Sequence, residues 1–258
     1  MQQALTLMTS AIADTLRENV PSIYLYGSCV MDDFRPGWSD IDLLVLTEAP
    51  ISRSQAETLL MLRQTFPLSH PGVPHFRAFE GCMLCTETLT KRTPGIVVYW
   101  GTSGQRLTDR CALDAFSLWE LHHAGQLLHG PDVRHILPIP TPAELHRGVA
   151  RHLRTILDHG RGGRSIYTFG WLLDTARGLY TLRHDAVISK TAAGEWALHE
   201  GLCPDEDALR LALAVRREPA LIALEAVLQQ AEALTPAIQR FADVLQHELA
   251  ARNIPIPD

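Results

Sequence analysis

Lysine is nearly absent from this chain. Of 258 residues, 23 are Lys or Arg, only Lys91 and Lys190 are lysines, and the formal net charge is −6. No basic tail and no Lys/Arg stripe is present. Binding of long nucleic acid needs many phosphate contacts, so that class of partner is set aside. An acidic balance suits a small cationic substrate. No apolar run approaches the ~20 residues that a membrane-spanning helix requires. The N-terminus has no basic segment followed by an apolar core and a cleavage site. A cytoplasmic, monomeric protein with no membrane partner is expected. Five cysteines (29, 82, 85, 111 and 203) leave at least one unpaired. Cys82 and Cys85 have the spacing of a zinc or redox pair. They fall in a strand pattern, where positions three apart face opposite ways, and no second cysteine pair completes a site. Buried free thiols are expected.

What is present is a 46% hydrophobic fraction, enough for one or two globular domains. The most informative stretch runs from Tyr24-Leu25-Tyr26-Gly27-Ser28 to Ser39-Asp40-Ile41-Asp42-Leu43-Leu44-Val45-Leu46. An apolar run ends in Gly-Ser, a polar segment follows, and a second apolar run opens with Asp-x-Asp. Side chains at i and i+2 of a strand point the same way, so Asp40 and Asp42 project together. Two convergent carboxylates suit a hard divalent ion such as Mg²⁺, which keeps waters and substrate phosphates as further ligands. Gly27 permits close backbone approach, and Ser28 can hold a phosphate.

The pattern resembles the nucleotidyltransferase superfamily, in which Gly-Ser, a spacer and Asp-x-Asp are joined by a third carboxylate from a neighbouring strand. Glu80, within His75–Cys85, is the candidate, because a charged residue among apolar neighbours on one strand face is costly unless paired or metal-bound. In that strand Phe76, Ala78, Glu80, Cys82 and Leu84 share a face. Glu87 is the rival, at a loop or helix start.

Periodicity places a helix over 3–18, strands near 22–26 and 41–46, and a helix over 53–65 capped by Ser52 and ended by Pro67. Next come the Glu80 strand, an apolar strand over 96–100, and a helix over 112–128 that stops at Gly130-Pro131. Leu137–Pro142 holds three prolines and reads as a linker. Beyond it the pattern is helical: 142–158, 165–183, 190–200, 205–217, and 219–251 broken near Thr235-Pro236. The expected fold is therefore an α/β (α+β) N-terminal domain with a small mixed sheet, followed by an all-α bundle, with a ligand between them.

Two further stretches are similar to the aminoglycoside (3'')(9) adenylyltransferases, which modify streptomycin and spectinomycin. Arg77-Ala78-Phe79-Glu80 resembles their catalytic-glutamate strand. Leu173-Asp174-Thr175-Ala176-Arg177, Tyr180, Ile188-Ser189-Lys190 and Trp196 resemble their C-terminal helical domain. The resemblance implies a nucleotidyltransferase domain over 1–136 and a helical substrate domain over 143–258. It implies ATP as co-substrate, with Gly27, Ser28 and Ser39 at its phosphates and Lys190 reaching them from the helical domain. Asp40 and Asp42 would bind two Mg²⁺ ions, and Glu80 would take the proton of the acceptor hydroxyl. Trp100 is similar to a tryptophan that walls the substrate site, and a core tryptophan is the alternative. The streptomycin-using members carry an acidic residue and a histidine where this chain has Tyr167 and Gly170, so spectinomycin is the favoured acceptor. Tyr167, Gly170, Trp171 and Asp174 share one helix face, where Asp174 could pair with a substrate amine and Tyr167 could wall it. Two alternatives stay open at this point. One is transfer to another small-molecule or protein acceptor. The other is a non-catalytic nucleotide-binding or toxin–antitoxin partner.

Overall fold

The computed structural model describes residues 1–90, 93–101, 104–111 and 113–257. They form two compact units. The first comprises Met1–Val30 and Ser39–Ile139, the second Met31–Trp38 and Pro140–Asp258.

The first unit is built on a six-stranded mixed sheet. Its strands are β1 (Ser22–Tyr26), β2 (Ile41–Thr47), β3 (Phe79–Cys85), β4 (Val97–Gly101), β5 (Gly104–Thr108) and β6 (Gln126–His129), in the order β5-β4-β3-β2-β1-β6. Only β2 and β3 pair in parallel; the other four pairings are antiparallel. A parallel pair needs a long crossover, and here it contains helix α2 (Arg53–Ser69). Near-continuous burial of Ile41, Leu43, Leu44, Val45 and Leu46 marks β2 as the central strand, covered on both faces. Tyr24, Leu44, Leu46, Leu84, Val97, Leu121 and Leu137 form one contiguous core cluster. Helices α1 (Gln2–Thr15), α3 (Thr86–Thr90) and α4 (Ala115–His123) complete the unit.

Helix α2 begins on a capping box. The Ser52 hydroxyl accepts from Gln55 N–H at 3.3 Å, and Ser52 N–H donates to Gln55 Oε1 at 2.9 Å. It does not stop at Pro67. A proline near the end of a helix forfeits one ladder bond, and the chain beyond it still closes, with His70 N–H donating to the Phe66 carbonyl at 2.9 Å. Phe66 also packs edge-on against Phe76, ring centroids 5.0 Å apart, which fastens the last turn. The stretch expected to be one helix over 112–128 is instead α4 followed by β6. Gly125 marks the break: its N–H donates to the Glu120 carbonyl at 2.9 Å, and a Cβ there would lie 2.3 Å from the Leu121 carbonyl. The strand carrying Glu80 is shorter than expected, because Pro74–Arg77 forms a turn of 3₁₀-helix.

The second unit holds α5 (Pro142–His159), α6 (Ile166–His184), α7 (Lys190–His199), α8 (Glu206–Arg217), α9 (Glu225–Glu232) and α10 (Thr235–Ala251). Thr141 and Glu144 form a capping box at α5, with Pro142 in its first turn. Among the described residues no helix is long and apolar enough to cross a membrane.

The segment Met31–Trp38 belongs to this helical unit, although it lies between β1 and β2 in the chain. Its anchor is Asp33. Arg216 donates to the Asp33 carboxylate at 3.0 Å and to its backbone carbonyl at 2.8 Å. The two side chains are 4% and 2% exposed, so the pair is taken fully out of water. Thr191, in the first turn of α7, adds its hydroxyl at 2.5 Å and its N–H at 3.3 Å to the same carboxylate. A helix N-terminus favours negative charge there. The Arg216 guanidinium also lies 5.0 Å from the Trp38 ring centre. Arg35 Nε also lies 3.4 Å from Asp33 Oδ1, yet removing Arg216 takes away the closest charge of a buried pair, at a cost of about 3–5 kcal/mol. Arg216→Met is therefore expected to lower stability by that amount in urea unfolding. A loss below about 1 kcal/mol, the level of an exposed pair, would show that the anchor does not hold the segment.

Candidate active site

Strand register brings the predicted carboxylates to one end of the sheet. Asp42 is the direct partner of Tyr26 on antiparallel β1 and of Glu80 on parallel β3. Asp40 stands two residues before Asp42. Like charges on directly paired positions repel, so Asp42 beside Glu80 is an arrangement that a cation relieves. Among the described residues, no group of three or more His, Cys, Asp or Glu is arranged to hold a metal alone.

Gly27 closes the other side of Asp42. It sits at φ +70°, and a Cβ on it would lie 2.2 Å from Asp42 Oδ2. The carboxylate thus rests against the Gly27 backbone, and only glycine leaves room for it. Gly27–Val30 forms a 3₁₀ turn that follows β1 and carries Ser28; Ser39 is buried. The Cys29 thiol donates to the Asp40 carbonyl at 3.8 Å, tying the turn to the start of the Asp-x-Asp strand. Burial, then the charges of Asp42 and Asp40, push the Cys29 thiol up to about 12. Tyr26 is likewise raised, by burial first and then by Asp42. Burial dominates both shifts, and the nearby aspartate charges add to them.

Glu80 accepts a hydrogen bond from Tyr99 Oη at 3.1 Å. Its rival Glu87 is exposed in α3, beyond the opposite end of β3. The four free thiols outside this corner include Cys82 and Cys85, and no cysteine is in a disulfide.

In the helical unit, Lys190 and Asp174 are brought together. Lys190 Nζ lies 3.0 Å from Asp174 Oδ1 and Arg177 lies 3.6 Å from the same oxygen. Burial works to raise the Asp174 carboxyl, but the Lys190 and Arg177 charges outweigh it and hold it below the ordinary aspartate value. Tyr167 is exposed, and on the same helix face the Gly170 position approaches Trp38. Trp100 is fully buried, directly opposite Gly81, and its indole N–H has no hydrogen-bond partner. A side chain with no exposed surface offers no face to a ligand, so Trp100 acts as a core residue rather than a substrate wall.

Residues 10–71 match the nucleotidyltransferase domain family, and residues 138–246 match the aminoglycoside adenylyltransferase C-terminal domain. The chain is an aminoglycoside adenylyltransferase-like protein. No curated protein matches its sequence. Its fold is similar to the crystal structure of spectinomycin adenyltransferase AAD(9) from Enterococcus faecialis with ATP and spectinomycin. The TM-score is 0.68 at 15% identity, covering 95% of this chain and 99% of that one. At this identity the likeness is one of fold.

Sequence reasoning overlooked Asp33, Thr191 and Arg216, and it overlooked Tyr99 as the partner of Glu80. The alternation Val97-Val98-Tyr99 carried a signal for the last, but only the β3–β4 register gives Tyr99 its neighbour. For this adenylyltransferase-like protein, Gly27→Ala is expected to displace the Asp42 carboxylate and lower AMP transfer about 100-fold, the scale of a 1 Å misplacement. Pyrophosphate release checks this, with folding verified by circular dichroism. Transfer within twofold of the parent would show that Asp42 tolerates the Cβ.

Proposed function

We propose that this protein transfers AMP from ATP to a hydroxyl of a cationic aminoglycoside or aminocyclitol antibiotic, with spectinomycin favoured over streptomycin. The observation that carries the reading is the direct pairing of Asp42 with Glu80 across β2 and β3, with Asp40 two residues upstream and Gly27 against Asp42. Asp40 and Asp42 fall within residues 10–71, the stretch that matches the nucleotidyltransferase domain.

Asp40 and Asp42 are assigned to two Mg²⁺ ions. When bound, Mg²⁺ neutralises triphosphate charge and polarises the α-phosphate. Gly27 and Ser28 offer backbone N–H groups and a hydroxyl to phosphate oxygens, and Ser39 a second hydroxyl. Glu80 accepts the proton of the attacking hydroxyl as an O–P bond forms at the α-phosphorus. The bond to the β-phosphate breaks and pyrophosphate leaves. General-base help of this kind is worth about 10²–10⁴-fold, and positioning supplies much of the rest. Lys190 is assigned to the nucleotide phosphates and Asp174 to an antibiotic amine. Both roles require their 3.0 Å pair to open on ligand binding. Arg177 then keeps Asp174 ionised, and Tyr167, exposed nearby on the same helix, adds an aromatic contact. The protein acts as a cytoplasmic monomer.

The test is pyrophosphate release from ATP and Mg²⁺ against a panel containing spectinomycin and streptomycin. Release is expected with spectinomycin. Asp40→Asn and Asp42→Asn are each expected to lower it by at least about 100-fold, the usual effect of removing one electrostatic stabiliser. Near-parental rates in either variant would defeat the metal assignment. Release with streptomycin alone would reverse the reading of Tyr167 and Gly170.

A further inference from the structure

Glu80 is the most mobile of the three carboxylates by construction, since its side chain has one more rotatable bond than aspartate. A general base must sit within hydrogen-bond reach of the proton that it takes. Something has to hold it.

The sheet supplies that group. Tyr99 on β4 is the antiparallel partner of Cys82, and Glu80 lies two residues from Cys82 on the same face of β3. Diagonal neighbours of this kind are within reach of long and aromatic side chains. Tyr99 Oη closes the gap and donates to Glu80 Oε1 at 3.1 Å. Two further features maintain this contact. A Cβ at Gly101 would lie 2.0 Å from Tyr99 Oη and 2.5 Å from Glu80 Oε1, so the hydrogen bond occupies the space that glycine leaves empty. Arg106 on β5, the direct partner of Tyr99, places its guanidinium 4.2 Å from the ring centre. A cation over the ring face holds the phenol in its plane. Three strands thus converge on one carboxylate oxygen.

We propose that Tyr99 is the positioning residue for Glu80. Its hydroxyl fixes Oε1, and Oε2 is the oxygen that receives the acceptor's proton. The inference rests on the reading of Glu80 as the base. It adds that the Glu80 carboxylate works only when the Tyr99 hydroxyl orients it.

Tyr99→Phe keeps the ring and its Arg106 contact and removes only the hydroxyl. With spectinomycin as acceptor, kcat is expected to fall about 10- to 100-fold, while KM for ATP and for spectinomycin stays within about twofold. In a Glu80→Gln background the same substitution is expected to change nothing further, because residues acting as a unit are not additive. A second readout needs no turnover. In protein labelled with ¹³C at glutamate carboxyl carbons, the signal missing from Glu80→Gln is expected to shift in Tyr99→Phe. An unmoved Glu80 signal, or full kcat in Tyr99→Phe beside an inactive Glu80→Gln, overturns the positioning role and leaves the base assignment standing. A further loss in the double variant also overturns it. Full kcat in Glu80→Gln overturns the base assignment, and the inference with it.

Discussion

One buried carboxylate, Asp33, organises the connection on which the candidate site depends. The chain between the Gly27-Ser28 turn and the Asp40-x-Asp42 strand does not fold back into the sheet unit. It belongs to the helices, where Asp33 meets the Arg216 guanidinium and the first turn of α7. A buried ion pair is weak evidence for net stability, since removing two charges from water offsets their attraction. Its effect is geometric. A carboxylate with Arg216 and two donors from Thr191 accepts them in one arrangement, so the segment has a defined path. The two motifs that the segment joins are therefore linked by ordered chain rather than by a free loop.

The site itself is an outcome of strand register. Parallel pairing of β2 with β3 sets Asp42 beside Glu80, and antiparallel β1 brings Gly27 to the same corner. Two glycines there are required by space. Gly27 leaves room for Asp42, and Gly101 leaves room for the contact between Tyr99 and Glu80. Concentrating carboxylates at one sheet end is unfavourable in the empty protein, and the aspartate charges add to the upward shifts that burial imposes on Cys29 and Tyr26. In the helical unit the Lys190 and Arg177 charges hold the Asp174 carboxyl below its ordinary value.

The central strands and the long helices were legible from pattern. β1, β2 and β4 carry dense apolar runs, and α5 to α8 carry capping residues and 3.6-residue periodicity that match their observed limits closely. The two strands that pattern reading overlooked, β5 and β6, are the edges of the sheet. An edge strand is half solvated and gains its pairing from a neighbour, so Gln105, Arg106 and Gln126 leave no apolar alternation to detect. Pro67 failed as a stop signal because aromatic packing of Phe66 with Phe76 carries α2 past the proline.

Sequence alone determined which chemical groups are available. The i, i+2 spacing of Asp40 and Asp42 suits the period of a strand, and helical periodicity settles the character of the second half, because both are properties of local backbone geometry. Tertiary structure decided which of these groups meet. That Asp42 faces Glu80, that Tyr99 reaches it, and that Asp33 finds Arg216 across 183 residues of chain are facts of register and packing. They arise from contacts between distant segments, and no local propensity encodes them.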